Sequence, residues 1–171
     1  MPRKKLGIAI MAATVLLAGC LATPEERIAN GIAEAKTAFE QEPEETNEQT
    51  EALEFYLPGG YTVEEPSDEH NIIITEGSDS FVLFANPNES ADSRLFYELQ
   101  KANPEQEWIA DETFEENGRF GFATVRNIAE DRYEIVVSAG GVKMTTISEE
   151  SKIEENMEWM MKTVRSIDNE R

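Results

Sequence analysis

The sequence predicts an α+β fold: a largely antiparallel sheet of seven or eight short strands with two packed helices, preceded by a signal peptide and an acidic stalk. Three observations predict it. From Leu53 onward apolar residues alternate with a period of two; the runs are separated by Pro58-Gly59-Gly60, Asn117-Gly118 and Gly140-Gly141; and a wide helical stripe of apolar residues closes the chain.

The elements follow in order. Arg3, Lys4 and Lys5 stand before the apolar run Leu6 to Leu17, and small residues come after it, the three-part pattern of a secretory signal in residues 1–19. The run is shorter than the ~20 residues a membrane-spanning helix needs, so cleavage is expected in place of a permanent span. It closes on Leu17-Ala18-Gly19-Cys20. Small side chains at 18 and 19 let the backbone lie flat in a peptidase groove, and the thiolate of Cys20 is a nucleophile able to take a lipid. These four residues resemble the lipobox of bacterial lipoproteins. The resemblance implies S-diacylglycerol on Cys20 and cleavage by signal peptidase II on its N-terminal side, and leaves N-acylation of the new amine open. The plainer alternative is an ordinary signal peptide cut at Ala18-Gly19 with an incidental cysteine. Each buried CH₂ contributes ~0.8 kcal/mol, and two or three acyl chains meet the condition for stable anchoring that one chain fails. The bilayer is thus the expected partner through Cys20, and the expected location is the extracytoplasmic face of the cell membrane.

The 171 residues carry 15 Lys plus Arg against 35 Asp plus Glu, a net charge of −20. Loss of residues 1–19 removes three bases and no acids, leaving −23. This charge sets nucleic acid aside as a partner, because affinity for a phosphate backbone comes mostly from Lys and Arg. An anionic leaflet repels such a body within a Debye length of ~8 Å, so the domain is expected to stand off the bilayer. The acidity itself reads as solubility before it reads as recruitment of a cationic partner. One Cys and one His exclude an internal disulfide and a zinc site of the usual Cys and His type.

Residues 23–41 read as a helix, because Thr23-Pro24-Glu25-Glu26 supplies a cap, a first-turn proline and a returning Glu. Ile28, Ile32, Ala35 and Phe39 form one narrow stripe, and Gly31 inside it costs ~1 kcal/mol against Ala. The stripe suits packing on the domain, on a partner helix or on nothing stable, and marginal stability is the expectation. Glu40 to Glu54 holds seven Glu and no Lys or Arg around Pro43, which predicts an extended, self-repelling linker. Residues 20–52 are therefore expected as a lipid-anchored stalk and residues 53–168 as the globular domain.

Within that domain Leu53, Phe55 and Leu57 alternate before the proline turn, and Tyr61 and Val63 after it. Asn71 to Glu76 and Ser80 to Ala85 flank Gly77-Ser78-Asp79 as a hairpin, and their near-continuous apolar centres predict strands buried on both faces. A helix is expected from Ser90 to about Ala102, with Ala91, Leu95, Leu99 and Ala102 on one face and Asn103-Pro104 ending it. Trp108 to Phe114, Arg119 to Asn127, Arg132 to Ala139 and Val142 to Ser148 predict an antiparallel meander, its first and last turns suited to primed two-residue types. The last helix runs from about Glu149 to Ile167, with Ile153, Met157, Met160, Met161, Val164 and Ile167 on its core face.

Phe55-Tyr56-Leu57-Pro58-Gly59-Gly60-Tyr61 and Val164-Arg165-Ser166-Ile167 resemble the opening strand and turn, and the closing helix, of PsbP-like and DcrB-like domains over residues 53–167. Tyr61 stands where that family usually has Trp. The resemblance implies an accessory or binding domain without a common catalytic site.

A Ser or Cys relay needs a base, and His70 is the only imidazole; G-x-S-x-G, H-E-x-x-H, the phosphate loop and the dinucleotide fingerprint are all absent. No catalytic residue, metal ligand or cofactor is expected. Acidic residues are too abundant to single out a carboxylate pair. His70, beside Asp68 and Glu69, reads as a solvated turn residue in preference to a pH sensor. Asn86, Asn88, Ser90 and Asp92 alternate like the start of a calcium loop, but Ala91 replaces the required glycine and Tyr97 the closing Glu.

Two aromatics remain as possible contact residues. Trp108 opens a strand, and Trp159 points about 120° from the centre of the last helix's apolar face at 100° per residue. Cover for the sheet edge is the plainer reading of both. Met157, Met160 and Met161 likewise read as core filler before an adaptable groove. Three functions are carried forward: a binding or accessory lipoprotein with an unidentified protein or envelope partner, a small-ligand or cation receptor, and a carboxylate-dependent cell-wall hydrolase.

Overall fold

The computed structural model describes residues 22–64 and 71–167. Helix α1 (Pro24–Glu40) opens with the predicted capping box: the Thr23 hydroxyl accepts from the Glu26 N–H at 3.3 Å, and the Glu26 carboxylate accepts from the Thr23 N–H at 2.9 Å. Two short strands, β1 (Glu48–Gln49) and β2 (Glu54–Phe55), pair antiparallel. The main sheet contains β3 (Thr62–Val63), β4 (Asn71–Glu76), β5 (Asp79–Ala85), β6 (Ala110–Glu116), β7 (Arg119–Ala129), β8 (Arg132–Ala139) and β9 (Val142–Ser148). Its order is β3-β4-β5-β9-β8-β7-β6, antiparallel throughout. Helix α2 (Leu95–Lys101) lies between β5 and β6 in the chain, and a 3₁₀ turn at Glu150–Lys152 leads into helix α3 (Ile153–Ser166). The α+β class, the meander β6 to β9 and the closing helix are as the sequence predicts.

The principal core lies between the sheet and the helix pair α1 and α3, which pack on each other. Helix α3 covers β8 and β9 with Ile153, Met157, Met160, Met161 and Val164, all buried, while α1 covers β6 and β7. Here the structure corrects the stalk. Helix α1 is not marginal or detached: Ile28, Ala35, Ala38 and Phe39 are buried in the same core as α3. Small residues make this possible, since a Cβ on Gly31 would come within 2.7 Å of the Met157 sulfur and 3.2 Å of Ile153 Cγ2. Backbone-to-side-chain packing at that distance converts the helix-propensity cost of Gly31 into close interhelical contact. Gly121 on β7 does the same beneath Phe39, whose ring edge would meet a Cβ at 2.5 Å. The acidic segment after α1 returns along the domain; Asn47 donates to the Leu57 carbonyl at 3.0 Å and accepts from the Leu57 N–H at 2.8 Å.

On the opposite, outer face a second small core forms where α2 lies on the sheet, with Phe96, Phe120, Phe122 and Val136 buried and Phe84 and Tyr97 packed against them. Helix α2 differs from expectation in length and face. It begins only at Leu95, and Phe96 is buried while Leu99 is 62 % exposed. Residues 90–94 make a turn instead, bound to the sheet by the Phe120 N–H donating to the Ala91 carbonyl at 3.0 Å. Because α2 is short, it covers only part of its face. Strands β4 and β5 are consequently buried fully on one side and only in part on the other: Ile72, Ile74, Phe81 and Leu83 face the core, while on the outer side Ile73 is 36 % and Val82 40 % exposed. The expectation of two-face burial fails at Ile73 and Val82, because among the described residues no element is layered over that part of the outer side, although Phe84 at the end of β5 packs against Phe96.

Candidate functional site

The register fixes a row of neighbours across the outer face. Ile73 pairs with Val82, Val82 with Thr145, and Thr145 with Val136, so these four side chains lie side by side on β4, β5, β9 and β8. One pair further along, Ile147 opposes Glu134 and is 51 % exposed. Toward α2 the row meets a groove of about 370 Å³ lined by Phe96, Leu99, Trp108, Val136, Lys143 and Thr145 among others. The size falls at the lower end of ligand sites, which run to ~300–1,000 Å³.

Lys143 sits at the inner end of this groove. Its ammonium lies 5.3 Å from the centroid of Phe96 and 5.8 Å from that of Phe84, two rings that meet edge to face at 5.6 Å. Burial against these rings pushes the Lys143 pKa down from its usual value, an effect opposed by the Glu134 carboxylate. The aromatic faces supply part of the solvation the cation loses. Among the described residues Lys143 makes no ion pair. Glu134 does not serve it as a partner, because Arg126 holds that carboxylate through both oxygens, one at 2.9 Å, and the same bond holds the guanidinium pKa up.

Two further polar residues of the lining, Gln100 and Asn103, and Lys101 beside them are also engaged. Gln100 donates to the Thr124 hydroxyl, Asn103 accepts from the Glu105 N–H at 3.1 Å, and Lys101 pairs with Asp111 while lying 5.9 Å from the Tyr97 ring. With Glu134 as the one carboxylate of the groove lining, and that one clamped, the groove does not present the carboxylate pair that glycoside hydrolysis uses. The groove combines an apolar floor, a half-buried cation and an open apolar extension.

The predicted site residues are placed unequally. Cys20 and His70 lie outside the described residues. Trp108 is half-buried on the groove wall, in the segment before β6 and not at the opening of a strand, since β6 begins at Ala110. Trp159 is corrected as a contact residue: it is 5 % exposed, its ring lies tilted 4.3 Å from that of Tyr61 and edge to face 4.7 Å from that of Phe81, and its Nε1 donates to Asn156 Oδ1 at 3.2 Å. Those partners come from β5 and from the residue before β3, so the side chain is part of the principal core. In the Asn86 to Asp92 series, Asn86 Oδ1 accepts from the Asn88 N–H at 3.1 Å and Ser90 donates to Asp92, bonds of a turn. No group of three or more His, Cys, Asp or Glu among the described residues is arranged to hold a metal. Sequence reasoning missed Lys143. Its signal was a lone base at an outward position of a strand whose other outward residues are Thr145 and Ile147.

No protein family and no curated protein matches the chain. The solution structure of cyanobacterial PsbP (CyanoP) from Synechocystis sp. PCC 6803 is similar over 68 % of this chain and 86 % of that one, with a TM-score of 0.41 and 12 % identity. At that distance the likeness transfers no site and no activity. Among the described residues no helix is long and apolar enough to cross a membrane.

Proposed function

We propose that the chain is an extracytoplasmic lipoprotein, held to the outside of the cell membrane by a diacylglyceryl thioether on Cys20, and that its sheet domain works as a binding or accessory module. The observation that carries this reading is the sequence Leu17-Ala18-Gly19-Cys20 at the end of a charged and apolar leader, followed at once by a folded domain. The resemblance to a lipobox gives the thiol its role, and the spacing to the domain gives it mechanical sense.

Helix α1 starts at Pro24, so three residue steps separate Cys20 from the cap residue Thr23. At ~3.3–3.6 Å per extended residue the tether reaches ~10 Å, close to the ~8 Å Debye length over which an anionic leaflet repels the domain. Anchoring and repulsion thus act over one length scale. Because Arg27 pairs with Glu150 at 3.3 Å and Asn30 donates to Glu154 at 3.4 Å, the N-terminal ends of α1 and α3 lie together, and on this reading that end faces the bilayer. The sheet faces would then stand upright, leaving the outer one open to a neighbour.

The experiment is to produce the full chain in a bacterium, separate membrane from medium, and weigh the mature N-terminus by mass spectrometry. A mature chain beginning at a Cys20 that carries diacylglycerol, with Cys20→Ala either released or left as uncleaved precursor, is the expected result. A bare residue 20, or unchanged retention and processing of Cys20→Ala, overturns the anchor.

A further inference from the structure

We propose that the uncovered part of the outer sheet face, with the groove beside α2, docks a segment of a partner protein that presents apolar side chains to Ile73, Val82 and Ile147 and a carboxylate to Lys143. This rests on the reading of the domain as a binding module and names the chemistry of its partner.

Three features select the occupant. The first is extent: the row Val136–Thr145–Val82–Ile73 crosses four strands, three gaps of ~4.8 Å or ~14 Å in all, and continues from the groove onto an open surface. A small molecule seated in the groove would leave Ile73, Val82 and Ile147 in water, whereas a polypeptide segment covers groove and row together. The second is charge. On strands β5 to β9 the outer face carries the carboxylates Asp111, Glu115 and Glu134, and each is paired, with Lys101, Arg94 and Arg126 respectively. Arg132, at the start of β8, faces Glu149 at 3.8 Å. On this outer face Lys143 is a base without an ion pair among the described residues, in a molecule whose overall charge is strongly negative. The neighbouring Glu64, at the β3 edge beside Ile73, is three strands and ~14 Å away.

The third feature is burial of the cation. A half-buried ammonium over two rings has lost part of its water and holds no counterion, so an arriving carboxylate completes it at little further desolvation cost. A basic partner segment meets the opposite situation, a repelling charge on a sheet face whose carboxylates Asp111, Glu115 and Glu134 are already paired. The face therefore discriminates in favour of an acidic, apolar segment although the molecule as a whole attracts cations.

The test uses the full mature chain in detergent micelles as bait for a random peptide library displayed on phage, with Val82→Asp, Ile147→Asn and Lys143→Glu as parallel baits, each checked by circular dichroism for unchanged fold. The wild type should enrich sequences that combine apolar residues with Asp or Glu. Val82→Asp and Ile147→Asn should each lower binding of the enriched peptides by ~tenfold or more, and Lys143→Glu should convert the preference to Lys or Arg. Enrichment that Val82→Asp removes but whose charge preference Lys143→Glu leaves unchanged overturns the carboxylate pairing and leaves the sheet face as a contact surface. Absence of enrichment overturns the docking proposal and also counts against the binding-module reading. Decanoate that binds through Lys143 in the absence of any peptide enrichment assigns the groove to a free amphiphile and likewise overturns it.

Discussion

Arg165, in the last turn of α3, donates from Nε to the Phe39 carbonyl at 2.9 Å and lies 5.5 Å from the centroid of the Phe39 ring. Its Nη2 reaches the Gln41 carbonyl at 3.2 Å. Helix α1 has no basic residue in its own last turn, so a residue 126 positions away in sequence satisfies its exposed carbonyls and complements its dipole. The same contact, together with Gly31 at mid-helix and the Arg27–Glu150 pair toward the other end, pins α1 to the domain along its length.

Truncating Arg165 should therefore destabilise the whole domain and not only one helix end. Burial and the nearby Arg119 push the Arg165 pKa down, yet it stays charged at any ordinary pH, and its hydrogen bonds to two carbonyls are charge-assisted. Arg165→Ala leaves those carbonyls short of a donor, at ~1–3 kcal/mol for a buried group that loses its partner. Urea unfolding checks this, with Arg165→Lys expected to recover part of the loss because a single ammonium serves one carbonyl well and two poorly.

The two glycines at the contacts of α1, Gly31 within it and Gly121 beneath it, should respond differently to the same added methyl. A Cβ on Gly121 meets the Phe39 ring at 2.5 Å and the Ser138 carbonyl oxygen at 2.7 Å, and neither ring nor backbone can move aside, so Gly121→Ala should cost ~1–3 kcal/mol. A Cβ on Gly31 meets first the Met157 thioether, which can rotate, and Ala gains up to ~1 kcal/mol of helix propensity over Gly. Gly31→Ala should then sit close to wild type, whereas Gly31→Val should fall well below it. Thermal melts of the three variants compare them directly.

These contacts mark where the sequence stops being legible. The meander and the closing helix follow from local rules: Asn117 and Gly118 adopt the positive φ of 50° and 75° that their turn requires, and the stripe Ile153 to Ile167 keeps one face. The fate of α1 depended on which surface would accept a narrow stripe with small residues in it, and that surface is α3, over a hundred residues later. Trp159 lay off its helix's apolar centre but found Tyr61 and Phe81 from strands whose position no local pattern gives. The open face was hidden for a related reason. The apolar runs Ile72-Ile73-Ile74 and Phe81-Val82-Leu83-Phe84 imply cover on both sides, and only the lateral extent of α2 reveals that, among the described residues, no helix covers Ile73 and Val82.

The two tryptophans give an independent check on the placement of the groove. Trp159 is enclosed by Tyr61 and Phe81, whereas Trp108 stands half-exposed on the groove wall. Quenching of the native protein by acrylamide should resolve into two components, an accessible and a protected one. Trp108→Phe should remove the accessible component and leave the protected one, while Trp159→Phe should do the reverse and also lose stability with the Nε1 hydrogen bond to Asn156. A ligand that occupies the groove should shield only the first.

Tyr61 predicts how the domain fails in alkali. Its ring packs on Trp159 and Phe81, and burial, assisted by Glu76, Glu155 and Asp79, raises its pKa well above the ordinary value of 10.0. A tyrosine released by unfolding ionises from about pH 10, while the folded one keeps its proton. The unfolded chain therefore binds fewer protons in this range, and stability must fall as pH rises beyond 10. Lys143 acts in the opposite sense, because its folded pKa is lowered and its cost is relieved as it deprotonates. The bridges of Lys101, Lys152 and Lys162, whose pKa values their carboxylate partners raise, weaken with alkali in the same sense as Tyr61. All four lysines are common to wild type and Tyr61→Phe, so the difference between the two isolates the phenol. Urea midpoints should run parallel from pH 7 to 9 and converge or cross above pH 10, with the variant losing less; parallel curves to pH 11 would show that the phenol ionises as freely folded as unfolded.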